Sequence, residues 1–228
     1  MRLLKWLTDP IALVGVYLVF VSVVVSRPGQ APGLSVACAV VPFQLIMMAV
    51  VSGFWSLWNR APIISNMPFP RALVPLASTL TEALGFAASL GLLALLMAFY
   101  SVAPTSAIVW LPLVVVVNLL LATAVAYPAA LLGLCFHELI PFATSAMRSL
   151  FFLSAGVVAL DHISGKAHSL VQLNPLTGLF EAYRSVLLHG HPPAAWQLLV
   201  PVAAAAGIAA LFVPMYSRAQ RHFAKVVE

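Results

Sequence analysis

Long apolar runs dominate this chain, and short polar stretches separate them. A helix needs about 20 apolar residues to cross the hydrocarbon core of a bilayer. Six stretches meet or approach that length: Pro10–Ser26, Leu34–Leu57, Ala72–Tyr100, Ser106–Leu134, Leu139–Leu160 and Trp196–Tyr216. The first is the shortest. Asp9 followed by Pro10 fits a helix start, with an N-cap and then proline where a backbone N–H has no helical acceptor to lose. In lipid every backbone polar group must be satisfied within its own segment, so runs of this length predict helices. The expected fold is all-α: a polytopic membrane protein of about six transmembrane helices in one domain covering residues 1–228.

Polar residues collect between the fifth and sixth runs, in an outer segment spanning 161–195 that contains LNPLTGLFEAYRSVLLHGHPP. Asn174 can cap a helix there, and Pro175 suits its first position. Leu176, Leu179, Phe180, Tyr183 and Leu187 then fall on one face, while Thr177, Glu181, Arg184 and Ser185 fall elsewhere. Pro175–Leu188 is too short to span. It is expected to lie at the interface, or dip into it, as an amphipathic helix.

Composition agrees with this pattern: 63% of residues are hydrophobic, 7% are charged, and the mean hydropathy is +1.06. Soluble domains carry about 25% charged residues. The formal net charge of +5 reports orientation. With six spans, Arg2, Lys5, Arg60, Arg71, Arg218, Arg221 and Lys225 share the side of the termini; Arg27, Lys166 and Arg184 lie opposite. Lys and Arg concentrate on the cytoplasmic side, so both termini are expected there. No basic cluster is interleaved with aromatics, so no nucleic-acid partner is implied. Arg2 and Lys5 give Met1–Ser26 a basic start, but Arg27-Pro28-Gly29 does not suit a cleavage site, and the run is expected to remain as an anchor.

Candidate chemistry is sparse. The chain has no Walker A pattern, no HExxH, no GxSxG and no CxxC. No enzyme activity and no cofactor is expected, and any ATP-driven step requires another chain. Glu82 and Arg148 are the charges placed inside spans. Each costs about 2.5–3.5 kcal/mol on insertion scales, so each is a candidate for a polar translocation pathway or for pairing across helices. His189 and His191 form an HxH, but a metal site needs more ligands than these two supply.

Two separated motifs carry a resemblance. FPRALVPLAS (Phe69–Ser78) followed by LNPLTGLFEAYR (Leu173–Arg184) is similar to the permease subunits of ABC-2 type exporters, in the branch that exports O-antigen, capsule and teichoic acid. The resemblance runs from about Gly33 onward. It implies a homodimer in the cytoplasmic membrane of a bacterium, with two copies of a separate ABC ATPase beneath it. It implies a lipid-linked glycan as substrate. The loop 58–71 would hold a coupling helix for the ATPase, with Asn59, Arg60, Ile64, Asn66 and Met67 as contacts. The segment after span five would re-enter the membrane and shape an exit gate from Asn174, Pro175, Glu181, Tyr183 and Arg184. Family members begin with a longer interface helix, whereas only Met1–Asp9 precedes the first run here. An ABC-2 drug or lipid exporter shares the fold but lacks the motif pair. A membrane-embedded enzyme or non-transport subunit would need clustered acids or histidines, which Asp161, His162 and His168 approach only loosely.

Overall fold

A computed structural model of the chain describes Gly15 and residues 31–58, 72–156, 160 and 166–219. Its helices are α1 (Pro32–Trp55), α2 (Leu73–Phe99), α3 (Leu111–Cys135), α4 (Ile140–Leu153), α5 (Lys166–Gln172), α6 (Pro175–Leu187) and α7 (Ala195–Ala219). Short 3-10 turns, Ser106–Trp110 and His137–Leu139, lead into α3 and α4. No strand occurs among the described residues.

Among the described residues, four helical stretches are long and apolar enough to cross a membrane: Gly33–Trp55, Leu73–Phe99, Ser106–Leu134 and Ala195–Arg218. They coincide with the second, third, fourth and sixth expected spans. The protein is an all-α polytopic membrane protein. The expected first span, Pro10–Ser26, lies outside the described residues apart from Gly15, as does the expected coupling loop with Asn59, Arg60, Ile64, Asn66 and Met67.

α1 is the central helix. Its most apolar stretch is 78% buried, against 11% for α7. It packs on α2, α3, α4 and α6, while α7 packs on α3 and α6. α1 can be surrounded because small residues such as Ala37, Ala39 and Ala49 let neighbours approach from several sides. The closest approach lies toward its C-terminal end. A Cβ at Gly53 would sit 2.8 Å from the Ala126 carbonyl oxygen, and one at Gly133 would sit 2.7 Å from Phe54 Cα. Backbone meets backbone there, with no flexible side chain to yield. Gly133→Ala is therefore expected to lose about 1–3 kcal/mol of stability, seen as a lower midpoint of thermal unfolding in detergent, whereas Gly207→Ala, where a Cβ meets nothing within 4 Å, leaves the midpoint unchanged or raises it. The same end is tied by Tyr127, whose hydroxyl donates to the Ala72 carbonyl at 3.0 Å and whose ring stands edge-on to Tyr216.

One expectation is corrected. The fifth run was expected to form one helix over 139–160, but α4 stops after 14 residues at Leu153. Ser154 leaves the helical region, and Ala155 adopts a left-handed φ of 33°. Pro175–Leu188 forms a helix at the expected place, and protein encloses it. Both its apolar and its polar sides are buried among α1, α3, α7 and the chain that leaves α4.

Candidate functional site

Around α6 the polar residues of LNPLTGLFEAYR converge on the point where α4 breaks. The helix begins as its sequence dictates. Asn174 is extended, its side-chain oxygen accepts from the Leu176 N–H at 3.0 Å, and Pro175 follows at the first helical position. Asn174 serves a second purpose, because its Nδ2 donates to Ser154 Oγ at 3.1 Å. Ser154 Oγ in turn donates to the Leu150 carbonyl inside α4. The cap of α6 is thus tied to the last turn of α4.

Arg184 is fully buried. Its Nε donates to the Ser35 carbonyl in the first turn of α1 at 3.1 Å. Nη1 donates to the Ala155 carbonyl at 2.8 Å and to Glu181 Oε1 at 2.7 Å, and Nη2 donates to the Gly156 carbonyl at 3.1 Å. Glu181 Oε1 also accepts the Leu160 N–H at 3.0 Å. One buried ion pair, one helical turn apart, therefore supplies both donors and acceptors to backbone left unpaired by the end of α4. An unpaired buried charge is prohibitive; a paired one that also satisfies backbone groups is tolerable.

Aromatic packing marks the same junction. Phe43 of α1, Phe151 of α4 and Phe180 of α6 lie with ring centroids 4.8, 6.5 and 5.8 Å apart. On the far side of α6, a Cβ at Gly178 would come within 3.2 Å of Pro201 and of the Gln197 carbonyl on α7. Gln197 holds the α6–α7 connection: it exchanges hydrogen bonds with Ser185 and accepts from the Ala194 N–H at 2.9 Å. Tyr183 is buried on the α3 side, where the Asn118 amide donates to its hydroxyl at 3.5 Å.

The expected exit residues are brought together, but not as a surface open to a substrate. Arg184 was expected on a polar outer side; the structure places it in the interior with its donors engaged by protein. The two residues expected inside spans behave differently. Glu82 lies half-buried in a cleft between α1 and α2 that is also lined by Gln44, Met48, Gly85 and Ser89. Arg148 lies exposed on α4, where Ser145 and Phe152 share its face. Arg148 forms no ion pair or hydrogen bond among the described residues, so Glu82 is not its partner.

Sequence reasoning missed Ser35, Ser154, Ala155 and Gly156, because they act through carbonyls or a small hydroxyl. It also missed Asn118, although an amide inside VVVVNLLL was a legible signal.

No family model matches the chain. Relatives are found among curated proteins. The chain is 24% and 22% identical, over 150 residues, to two proteins named O-antigen export system permease protein RfbA from Klebsiella pneumoniae. Each match covers 65% of this chain and 58% of the relative. It is 26% identical over 160 residues to a protein of the same name from Myxococcus xanthus, covering 69% of this chain and 62% of that one. The chain thus spans about three fifths of the length of the curated relatives it matches. The resemblance carried by FPRALVPLAS and LNPLTGLFEAYR points the same way as these matches.

Proposed function

We propose that this chain is the transmembrane permease of an ATP-driven exporter that moves a lipid-linked polysaccharide across the cytoplasmic membrane of a bacterium. The observation that carries the reading is the similarity to three O-antigen export permeases in a chain whose long apolar helices form a membrane bundle. All of residues 1–228 form one permease domain, with both termini cytoplasmic by the distribution of Lys and Arg. The chain has no phosphate-cradling loop, so hydrolysis falls to a separate ABC ATPase in two copies.

The permease acts as a homodimer. The support is the exposed face of α4: lipid solvates an arginine poorly, so an arginine on an apolar helix is best placed against a second protein surface or water. A second copy presenting the same face would enclose a polar path. Arg148 binds the phosphate that links glycan to lipid, since a guanidinium grips phosphate with two parallel hydrogen bonds. Glu82, in its cleft with Gln44 and Ser89, contributes a further polar position to the pathway. Asn174, Pro175, Glu181, Tyr183 and Arg184 shape the exit by holding α6 in place, not by touching cargo. On the cytoplasmic side, Asn59, Arg60, Ile64, Asn66 and Met67 press on the ATPase.

Purification from native membranes tests the assembly. The tagged chain is expected to bring down a P-loop ATPase in equal amount, and Arg60→Glu is expected to weaken that recovery severalfold while the chain still inserts. Recovery of the chain with no ATPase contradicts the proposal.

A further inference from the structure

We propose that the buried Glu181–Arg184 pair is a helix stop: it holds α4 in a short form against a longer form in which the helix runs on past Gly156. The inference stands whether or not the chain exports a glycan.

Length makes the short form unexpected. The 14 residues of α4 reach about 21 Å at about 1.5 Å per residue, well short of a hydrocarbon core about 30 Å thick. The apolar run does not end at Leu153. It continues in the sequence to Leu160, just before Asp161. A helix carried to Leu160 would measure about 32 Å and match the membrane. Nothing in Ser154, Ala155 or Gly156 forbids it; alanine is the best helix former, and serine and glycine are tolerated at a modest penalty.

The partners of the backbone account for the stop. In a continued helix the carbonyls of Ala155 and Gly156 would accept from N–H groups four residues on. In the observed form they accept from Nη1 and Nη2 of Arg184 instead. The Leu160 N–H, which would donate into the helix, donates to Glu181 Oε1. Asn174 holds Ser154 Oγ at the last helical turn. Side chains of α6 have replaced the helix's own ladder, and the cost is visible at Ala155, held at a φ of 33°. In the longer form the α4 ladder would take up the two carbonyls and the Leu160 N–H, while Arg184 would keep Ser35 and Glu181 and give up two acceptors. Two competing sets of partners are what a bistable element needs. α4 also bears Arg148, so the stop sets the length of the helix that carries the exposed cation.

Two substitutions that leave Glu181 and Arg184 intact bias the forms in opposite directions. In the short form a Cβ at Gly156 would lie 2.6 Å from the Phe151 carbonyl oxygen and 2.8 Å from its ring, so Gly156→Ala opposes the short form. It also favours helix, and together the effects shift the balance at least about fivefold. Ala155→Gly relieves the left-handed φ and favours the short form. The test is hydrogen–deuterium exchange of the full chain in lipid nanodiscs, followed in the peptide covering Ser154–Leu160. Exchange is expected to slow at least about fivefold in Gly156→Ala and to quicken in Ala155→Gly. Equal exchange in both variants, or faster exchange in Gly156→Ala, overturns the helix stop.

Discussion

Replacing Arg184 with methionine is expected to remove most folded protein from the membrane, at a cost of about 3–5 kcal/mol. Methionine fills much of the same volume but donates nothing. Glu181 would then be buried as an unpaired charge, and the Ala155 and Gly156 carbonyls would lose their donors. Arg184→Lys is expected to recover only part of the loss, because one ammonium cannot reproduce a planar fork that reaches Ser35, Ala155, Gly156 and Glu181 together. Removing both charges with Arg184→Met and Glu181→Leu is expected to be milder than Arg184→Met alone, since no isolated ion remains, though the Leu160 N–H is left unpaired. Arg218→Met, at an exposed position in the last turn of α7, should stay within about 0.5 kcal/mol of the parent. Thermal unfolding of the four variants in one detergent checks the series. An Arg184→Met midpoint equal to that of Arg218→Met contradicts the role given to the buried pair.

Arg148→Leu is expected to abolish export and yet insert at least as well as the parent. The arginine sits about 12 Å along α4; at the centre of a membrane helix a charge facing lipid costs about 2.5–3.5 kcal/mol, and leucine carries no such penalty. Arg148→Lys keeps the charge but loses the two-pronged geometry, so export should fall without stopping. Neither change touches the α6 junction, so unfolding midpoints should not drop. Glycan appearance at the cell surface, normalised to permease in the membrane fraction, separates these outcomes. Normal export by Arg148→Leu would show that the side chain only reaches for headgroups.

These two arginines show what was legible in the chain and what was not. Four spans could be placed because their signal is length and apolarity, which need no knowledge of neighbours. The helix at Pro175 was legible for a similar reason: an N-cap, a proline and one apolar face are local features. The surroundings of that helix were not. Periodicity tells which residues of α6 share a face, but not that the opposite face also meets protein. Glu181 and Arg184 stand three residues apart, a spacing that signals a pair, yet their other partners are backbone carbonyls and one N–H from residues 35, 155, 156 and 160. Such partners leave no mark in a sequence. The end of α4 was misplaced for the same reason, since the groups that stop it come from α6. Arg148 was legible as a charge inside an apolar run, and its exposed placement on α4 is compatible with the pathway proposed for it.

The central claim is transport, and reconstitution addresses it most directly. Proteoliposomes would carry the chain with its ATPase, and lipid-linked glycan would be supplied on the ATPase side. ATP is expected to drive the glycan to the opposite leaflet, where a membrane-impermeant lectin or glycosidase loses or gains access to it according to orientation. The transfer should vanish with Arg148→Leu and with a non-hydrolysable ATP analogue. Glycan that stays on its original leaflet while the assembled complex hydrolyses ATP would contradict the account.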